Sequence, residues 1–538
     1  MRILKKLISK IKASLFVFKK AEIMQNIVRK EIDGEYDNLC HTCFFNERYH
    51  MRAALGENIE EEFHKLRISL YLGGALGDYI VYLRFVDEIS SICQCSVDLF
   101  LDRIAFGGFV FGSRENVKII HDAENCLFIN STNSYDLAIH LDHGITLKHC
   151  NLGSIREKAP AFYEMACKIV EHAKRSQVDI TKQHERESVI LRQAKFFGET
   201  KWSKLSCSGA IHMEGMYSNI ILKEDFFPVL SRYQLYGKKY ITVNYGADKN
   251  MGGTAQTKVL PFNTLNQFIL KFKSTYPDYL IVQTGVPGSL KLDGADRYAF
   301  DCRLEETAFI LKNSLCHVDS EGGLVHLASQ MSTPCVVSFG PTPSYYYGYP
   351  RNKNIVSEAC KECMSVTPNW STVCPRKLQV PECMQAISEN MILKQVDRVL
   401  EEYKEWEVPI THVKEIYEAC MEELEKAQVG VLAWIGTLDF ESMKTVRQLI
   451  KQGWEVSMYI GTHLNSQIIQ YREELKKMGI KVEYGSVLNI AQRNNSFDFV
   501  VVEEPDFETV IPQEIWEKEC ARIVKETGKV LLFTPSTV

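Results

Sequence analysis

The stretch RISLYLGGALGD, residues 67–78, reads as a short apolar strand running into a glycine turn that ends on Asp78. Directly behind it, YIVYLRFVDEISSI (79–92) reads as an apolar helix and SVDLFLD (96–102) as a second strand. Strand, glycine turn, helix, strand is the opening of a parallel α/β domain, because parallel neighbours must be joined by a crossover, usually a helix. Further strand-like runs follow: VKIIHD (117–122), CLFIN (126–130) and DLAIHL (136–141). Residues 155–200 carry many charges and read as helices.

A second α/β unit opens at 240 with the strand YITVNYG. A polar, glycine-containing loop, ADKNMGGTAQTK (247–258), leads into Pro261 and an amphipathic helix. The strand YLIVQTG, the helix LEETAFILKNS, the strand LCHVDS, the helix EGGLVHLASQM and the strand PCVVSFG complete it. Two such units in one chain imply a cleft between two Rossmann-like domains. Residues 395–428 read as helical and charged, and a third alternating stretch runs from 429 onward. Its first strand is not followed by G-x-G-x-x-G, which argues against dinucleotide or S-adenosylmethionine binding there. The expected organisation is an N-terminal extension (1–65), a first Rossmann-like domain (66–236), a second (237–405) and an accessory α/β domain (406–538).

The chain of 538 residues is long enough for several cores, and a net charge of −5 carries no signature of nucleic-acid binding. Residues 1–20 are basic, but lysines break their apolar runs, so neither a signal peptide nor a membrane span is expected. Two readings of this segment stand: a lysine-rich amphipathic helix lying on anionic lipid, or a helix packing on the protein or on a second copy. The odd count of 17 scattered cysteines suits a reducing cytoplasm, at the inner face of the membrane if residues 1–20 bind lipid. Cys40-x-x-Cys43 with His50 lacks a clear fourth ligand and reads as accidental spacing. Cys360, Cys363, Cys374 and Cys383 differ: four thiolates in a proline-rich loop can close a tetrahedral Zn or Fe site, which orders a loop lacking its own core.

Three stretches, taken in order, carry a resemblance. They are Gly74-Ala75-Leu76-Gly77-Asp78; the strand ending Asn244-Tyr245-Gly246-Ala247 with Lys258-Val259-Leu260-Pro261; and Glu321-Gly322-Gly323-Leu324-Val325-His326-Leu327-Ala328, followed by Phe339-Gly340-Pro341-Thr342. Over residues 67–400 the chain resembles the heptosyltransferase family (glycosyltransferase family 9), and its cysteine spacing resembles the iron-bound motif of bacterial autotransporter heptosyltransferases. The resemblance implies a GT-B fold and an inverting, metal-independent glycosyltransferase. It implies a nucleotide-sugar donor such as ADP-heptose and a glycan, lipid-linked or protein acceptor, as in bacterial lipopolysaccharide biosynthesis or protein glycosylation. A homo-oligomer is compatible with it.

Sugar transfer needs a base for the acceptor hydroxyl and a cradle for the departing diphosphate. Asp78, at the C-terminal edge of a strand, is the candidate base; the rival reading is a helix cap. Lys258 is the candidate cation for the diphosphate, with the backbone N–H groups of Gly322 and Gly323 at a helix start and with Gly340 and Thr342 in the next loop. Asn244, Gly246 and Glu321 are placed with the donor, and His326 either touches the nucleotide or packs structurally. The chain departs from the family in having Glu-Gly-Gly at 321–323 and Leu260 before Pro261, which touches the identity of the sugar more than the reaction. The lack of an Asp-x-Asp pair in the candidate cleft fits a reaction without a catalytic metal. The other class of function is a non-catalytic, nucleotide-sugar-binding or scaffold subunit of the same fold.

Overall fold

The computed structural model describes residues 65–176, 182–222, 227–246 and 256–402, and, further on, 410–413, 422–427, 429–436, 440–460, 477–484, 495–503 and 513–533, with a few single residues between. The basic segment 1–20 and the Cys40–Cys43 pair with His50 lie outside the described residues.

Three sheets form in chain order. The first contains β1 (Leu66–Leu72), β2 (Cys95–Leu101), β3 (Val117–His121), β4 (Leu137–Leu141) and β5 (Ile145–Cys150), in the order β3-β2-β1-β4-β5, with only β5 antiparallel to its neighbour. Leu66, Ile68, Leu70 and Leu72 are buried on one face of β1 and Ser69 on the other, as expected of a parallel strand covered on both sides. The second sheet contains β6 (Tyr240–Asn244), β7 (Leu280–Thr284), β8 (Arg297–Ala299), β9 (His317–Ser320), β10 (Cys335–Phe339) and β11 (Lys353–Val356), in the order β11-β10-β9-β6-β7-β8. Counted from its own first strand this is 3-2-1-4-5-6, the doubly wound dinucleotide-domain order.

The third sheet contains β12 (Ile410–Val413), β13 (Val431–Ile435), β14 (Glu455–Ile460), β15 (Lys481–Tyr484), β16 (Phe497–Glu503) and β17 (Val524–Phe533), in the order β12-β17-β16-β13-β14-β15 and parallel throughout. The largest buried apolar cluster is continuous across all three sheets and includes Leu70, Val325, Phe339, Tyr459 and Val500.

Two expectations are corrected. CLFIN is not a strand: Cys126–Ser131 is a helix, and the Asp122 carboxylate accepts the Phe128 N–H at its start (2.8 Å). A five-residue apolar run suits either state, and here the preceding Asp decided. Within the stretch read as helical, Glu389–Glu402 is a helix, but Ile410–Val413 is a strand on β17. Its β-branched residues suit that edge position.

Candidate active site

In an open parallel sheet, ligands bind beyond the carboxyl ends of the strands, where the strand order reverses. In the first sheet that point lies between β1 and β4; in the second it lies between β6 and β9. Residues at or just past the ends of β1, β2, β4, β6, β7 and β9 line one shared cleft, among them Asp78, Asp102, His143, Asn244, Gly285 and Glu321. At its base the helix Leu76–Ser90 packs on the helix Gly323–Gln330. A Cβ at Gly77 would collide with the His326 ring, so glycine permits this close approach.

On the first side, Gly74 sits at φ +102, and a Cβ there would strike the Asp78 carboxylate. The turn therefore needs glycine twice over, for conformation and for room. Asp78 Oδ2 accepts the Ala75 N–H (2.7 Å), closing the first turn of the helix, so the capping reading of Asp78 holds for one oxygen. Its other oxygen, Oδ1, lies 2.5 Å from Lys201 Nζ. Burial by itself would raise the Asp78 carboxyl, but the Lys201 charge, His143 and the Ala75 N–H together hold it down at about 2.

On the second side, Lys258 Nζ lies 2.6 Å from Glu321 Oε2, and Glu321 Oε1 lies 3.6 Å from His326 Nε2. His326 Nδ1 is 2.8 Å from the Tyr349 hydroxyl. Burial opposes ionisation of Glu321, yet Lys258 and His326 hold its carboxyl well below the usual range; burial pulls His326 down. Gly322 stands at the N-cap of the helix Gly323–Gln330, and Gly322, Gly323 and Leu324 line the cleft, at the end of a helix where the first N–H groups have no intrahelical partner. Beneath them Asn244 Nδ2 donates to both oxygens of Asp319 (3.1 Å each), which keeps this buried carboxylate satisfied.

Of the residues expected from sequence, Asp78, Asn244, Gly246, Lys258, Glu321, Gly322, Gly323, His326 and Thr342 all line the cleft. Gly340 does not: it lies against Cys383 and Met384, where a Cβ would clash with the Met384 sulfur. Its need for glycine comes from packing against the cysteine loop. Residues that sequence reasoning missed are Lys201, Asp102, Arg103, Phe106, His143, Glu187 and Tyr347, all on the cleft wall. No local motif marks them; the position of Asp142-His143 just past the strand DLAIHL was the one usable signal.

The cysteine loop also reaches the cleft, through Met364, Pro368 and Trp370. It ties both sides together. Ser365 Oγ donates to Glu187 Oε2 (2.6 Å), and Ser371 O accepts from Thr257 Oγ1 (2.8 Å), next to Lys258. Cys374 and Cys383 are buried, and Cys360 and Cys363 half-buried. Burial first, then neighbouring Cys360 and Cys363, push the Cys383 thiol up to about 12; burial with Cys374 and Cys360 raises Cys363. Cys363 and Cys383 thus each feel two of the other cysteines as neighbours, and a cation among the four sulfurs would favour the thiolate form that burial opposes at these two. Among the described residues, no group of three or more His, Cys, Asp or Glu side chains is arranged to hold a metal ion. No described helix is long and apolar enough to cross a membrane.

Two Rossmann-like domains facing a cleft, with a further small α/β domain, constitute a GT-B fold. No protein-family model matches the chain, and neither does any curated protein. Among solved structures, it is similar to the ADP-heptose lipopolysaccharide heptosyltransferase II of E. coli, at 12% identity and a TM-score of 0.41, over 63% of this chain and 99% of that one. A glycosyl transferase family 9 protein of Veillonella parvula is 16% identical over 63% of this chain and 98% of its own, with a TM-score of 0.40. The iron-containing dodecameric glycosyltransferase TibC of enterotoxigenic E. coli is 12% identical over 63% of this chain and 82% of its own, with a TM-score of 0.41.

Proposed function

We propose that this protein is an inverting glycosyltransferase that moves a sugar, heptose or a relative of it, from a nucleoside-diphosphate donor to a hydroxyl of a glycan, lipid-linked or protein acceptor. One observation carries the reading: a carboxylate on one sheet and a lysine beside open helix N–H groups on the other meet in a single cleft, at the switch points of both sheets. In the transfer, the acceptor oxygen forms the new bond to the anomeric carbon and its proton passes to Asp78. The bond from that carbon to the diphosphate breaks, and its electron pair leaves on the diphosphate. Lys258 and the N–H groups at Gly322 and Gly323 oppose that growing charge. ADP-heptose is the first donor to test, on the motif resemblance.

The deciding experiment is turnover of a nucleotide-sugar panel by purified protein. Replacing Lys258 with Ala is expected to weaken donor binding by about 10- to 100-fold in calorimetry, the worth of one charge-assisted hydrogen bond. The freed Glu321 carboxylate would then face the diphosphate and add repulsion. Unchanged donor affinity would remove Lys258 from the cradle. The non-catalytic alternative is favoured by one fact, that both lysines among the described cleft residues already hold carboxylates; donor binding without turnover would select it.

The reading includes a structural metal, Zn or Fe, at the four cysteines. Cys360, Cys363, Cys374 and Cys383 would hold it, and with four protein ligands it would serve to order the loop. About one Zn or Fe per chain is expected by elemental analysis of protein purified without chelator. Replacing Cys374 with Ser should lower that content and loosen the loop, and with it the wall beside Lys258. A metal-free, folded and active protein would show the spacing to be accidental.

A further inference from the structure

We infer that Lys201 is the positioning residue of the candidate base: it aims Asp78 Oδ1 into the cleft and offsets the carboxylate's charge beside an anionic donor. This deepens the reading above and rests on it.

Lys201 comes from a stretch with no motif, yet its place is closely determined. Its backbone N–H donates to Tyr346 O (2.9 Å), its Nζ stands 5.2 Å from the centre of the Tyr347 ring, and the adjoining Trp202 packs edge-on against Tyr349. The Thr200–Ser203 hydrogen bonds close the turn that presents it. The side chain is 5% exposed. A buried ammonium is retained only where a partner offsets its desolvation, and the partner here is Asp78.

The geometry of the pair has a chemical consequence. Oδ2 of Asp78 is occupied by the Ala75 N–H. Each carboxylate oxygen has two lone pairs, so the second lone pair of Oδ1 remains for an acceptor hydroxyl. Ala75 and Lys201, one on each oxygen, hold the plane of the carboxylate. The other titratable groups around it are His143, His326, Tyr82, Tyr346 and Tyr347. Burial disfavours charge on the His326 imidazole and on the Tyr82, Tyr346 and Tyr347 phenols, and the cation in direct contact with the carboxylate is the Lys201 ammonium. Without it, a carboxylate in this setting would face a diphosphate with its charge uncompensated and would take up a proton at higher pH.

The test is the pH dependence of kcat/KM in Lys201→Met, which keeps length and volume, and in Lys201→Arg, which keeps charge. In Lys201→Met the acid limb should move up by about one pH unit or more, as burial goes uncompensated. Lys201→Arg should restore the limb. A loss of kcat equal at every pH, with the limb unmoved, would mean a merely structural lysine and overturn the inference. Should Lys201→Met not fold, isotope-edited infrared titration of Asp78 in the unmodified protein decides: an ionised carboxylate at about pH 4 is expected, and a protonated one overturns it. That titration is independent of turnover. If Asp78→Asn keeps full activity while the titration shows the low-pH carboxylate, the assignment of the base fails and the pair stands.

Discussion

Replacing Asp78 with Asn is expected to cut sugar transfer by about 10²- to 10⁴-fold, the usual worth of a positioned general base, and to leave donor binding intact. Asn keeps the volume of Asp and retains an oxygen for the Ala75 N–H, so the helix start should survive. What it loses is the proton acceptor and the charge opposite Lys201. A buried lysine left alone costs stability, so transfer should be measured well below the unfolding transition. Donor affinity by calorimetry is the control, because Lys258, Gly322 and Gly323 sit on the opposite side of the cleft. Turnover near that of the parent would remove Asp78 as base.

The second large effect lies away from the chemistry. Glu519, 3% exposed, accepts from Lys312 Nζ (2.5 Å), from Arg522 (2.7 and 2.8 Å) and from the Ile490 N–H (2.8 Å). Lys312 ends the helix Leu304–Lys312 of the second sheet's layer, whereas Glu519 and Arg522 lie on the helix Gln513–Ile523 of the third. Asn489 extends the network by donating to Ile220 O (3.0 Å), in the segment between the first and second sheets. The third sheet is thereby locked to both cleft-forming parts.

Burial opposes ionisation of Glu519, but Arg522 and Lys312 hold its carboxyl down at about 2; burial pulls Lys312 down to about 8. A carboxyl whose folded value is depressed stabilises the fold above its unfolded value near 4.5, and that contribution is lost as pH falls toward 2. Glu519→Leu strands two buried cations and should cost about 3–5 kcal/mol in urea unfolding at neutral pH. The triple replacement Lys312→Met, Glu519→Leu, Arg522→Met should recover part of that loss. A single variant as stable as the parent would show that the network contributes nothing net.

Much of this architecture was legible in the chain itself. RISLYL followed by glycines, and YITVNYG followed by a polar loop, are local signals: a buried parallel strand is an unbroken apolar run, and a turn into a helix needs residues such as Gly74. Motif residues fall at strand ends for the same reason, so Asp78, Asn244, Lys258, Glu321 and the Gly322–Gly323 pair could be placed with the cleft before any coordinates. The rest depended on contacts distant in sequence. CLFIN and the Ile410–Val413 stretch are too short for periodicity to decide between strand and helix, and their neighbours settled them. Lys201 meets Asp78 across 123 positions, and Glu519 meets Lys312 across 207. An ion pair at that separation leaves no local pattern, because its partners are brought together by packing of the sheets. Gly340 shows the converse: a glycine in the expected motif, whose small size the fold uses to seat Met384 and Cys383. Residue types and spacing thus determined the two cleft-forming sheets and the motif residues at their strand ends. Only the tertiary structure decided which charges face one another, because charge pairing is set by three-dimensional distance and burial.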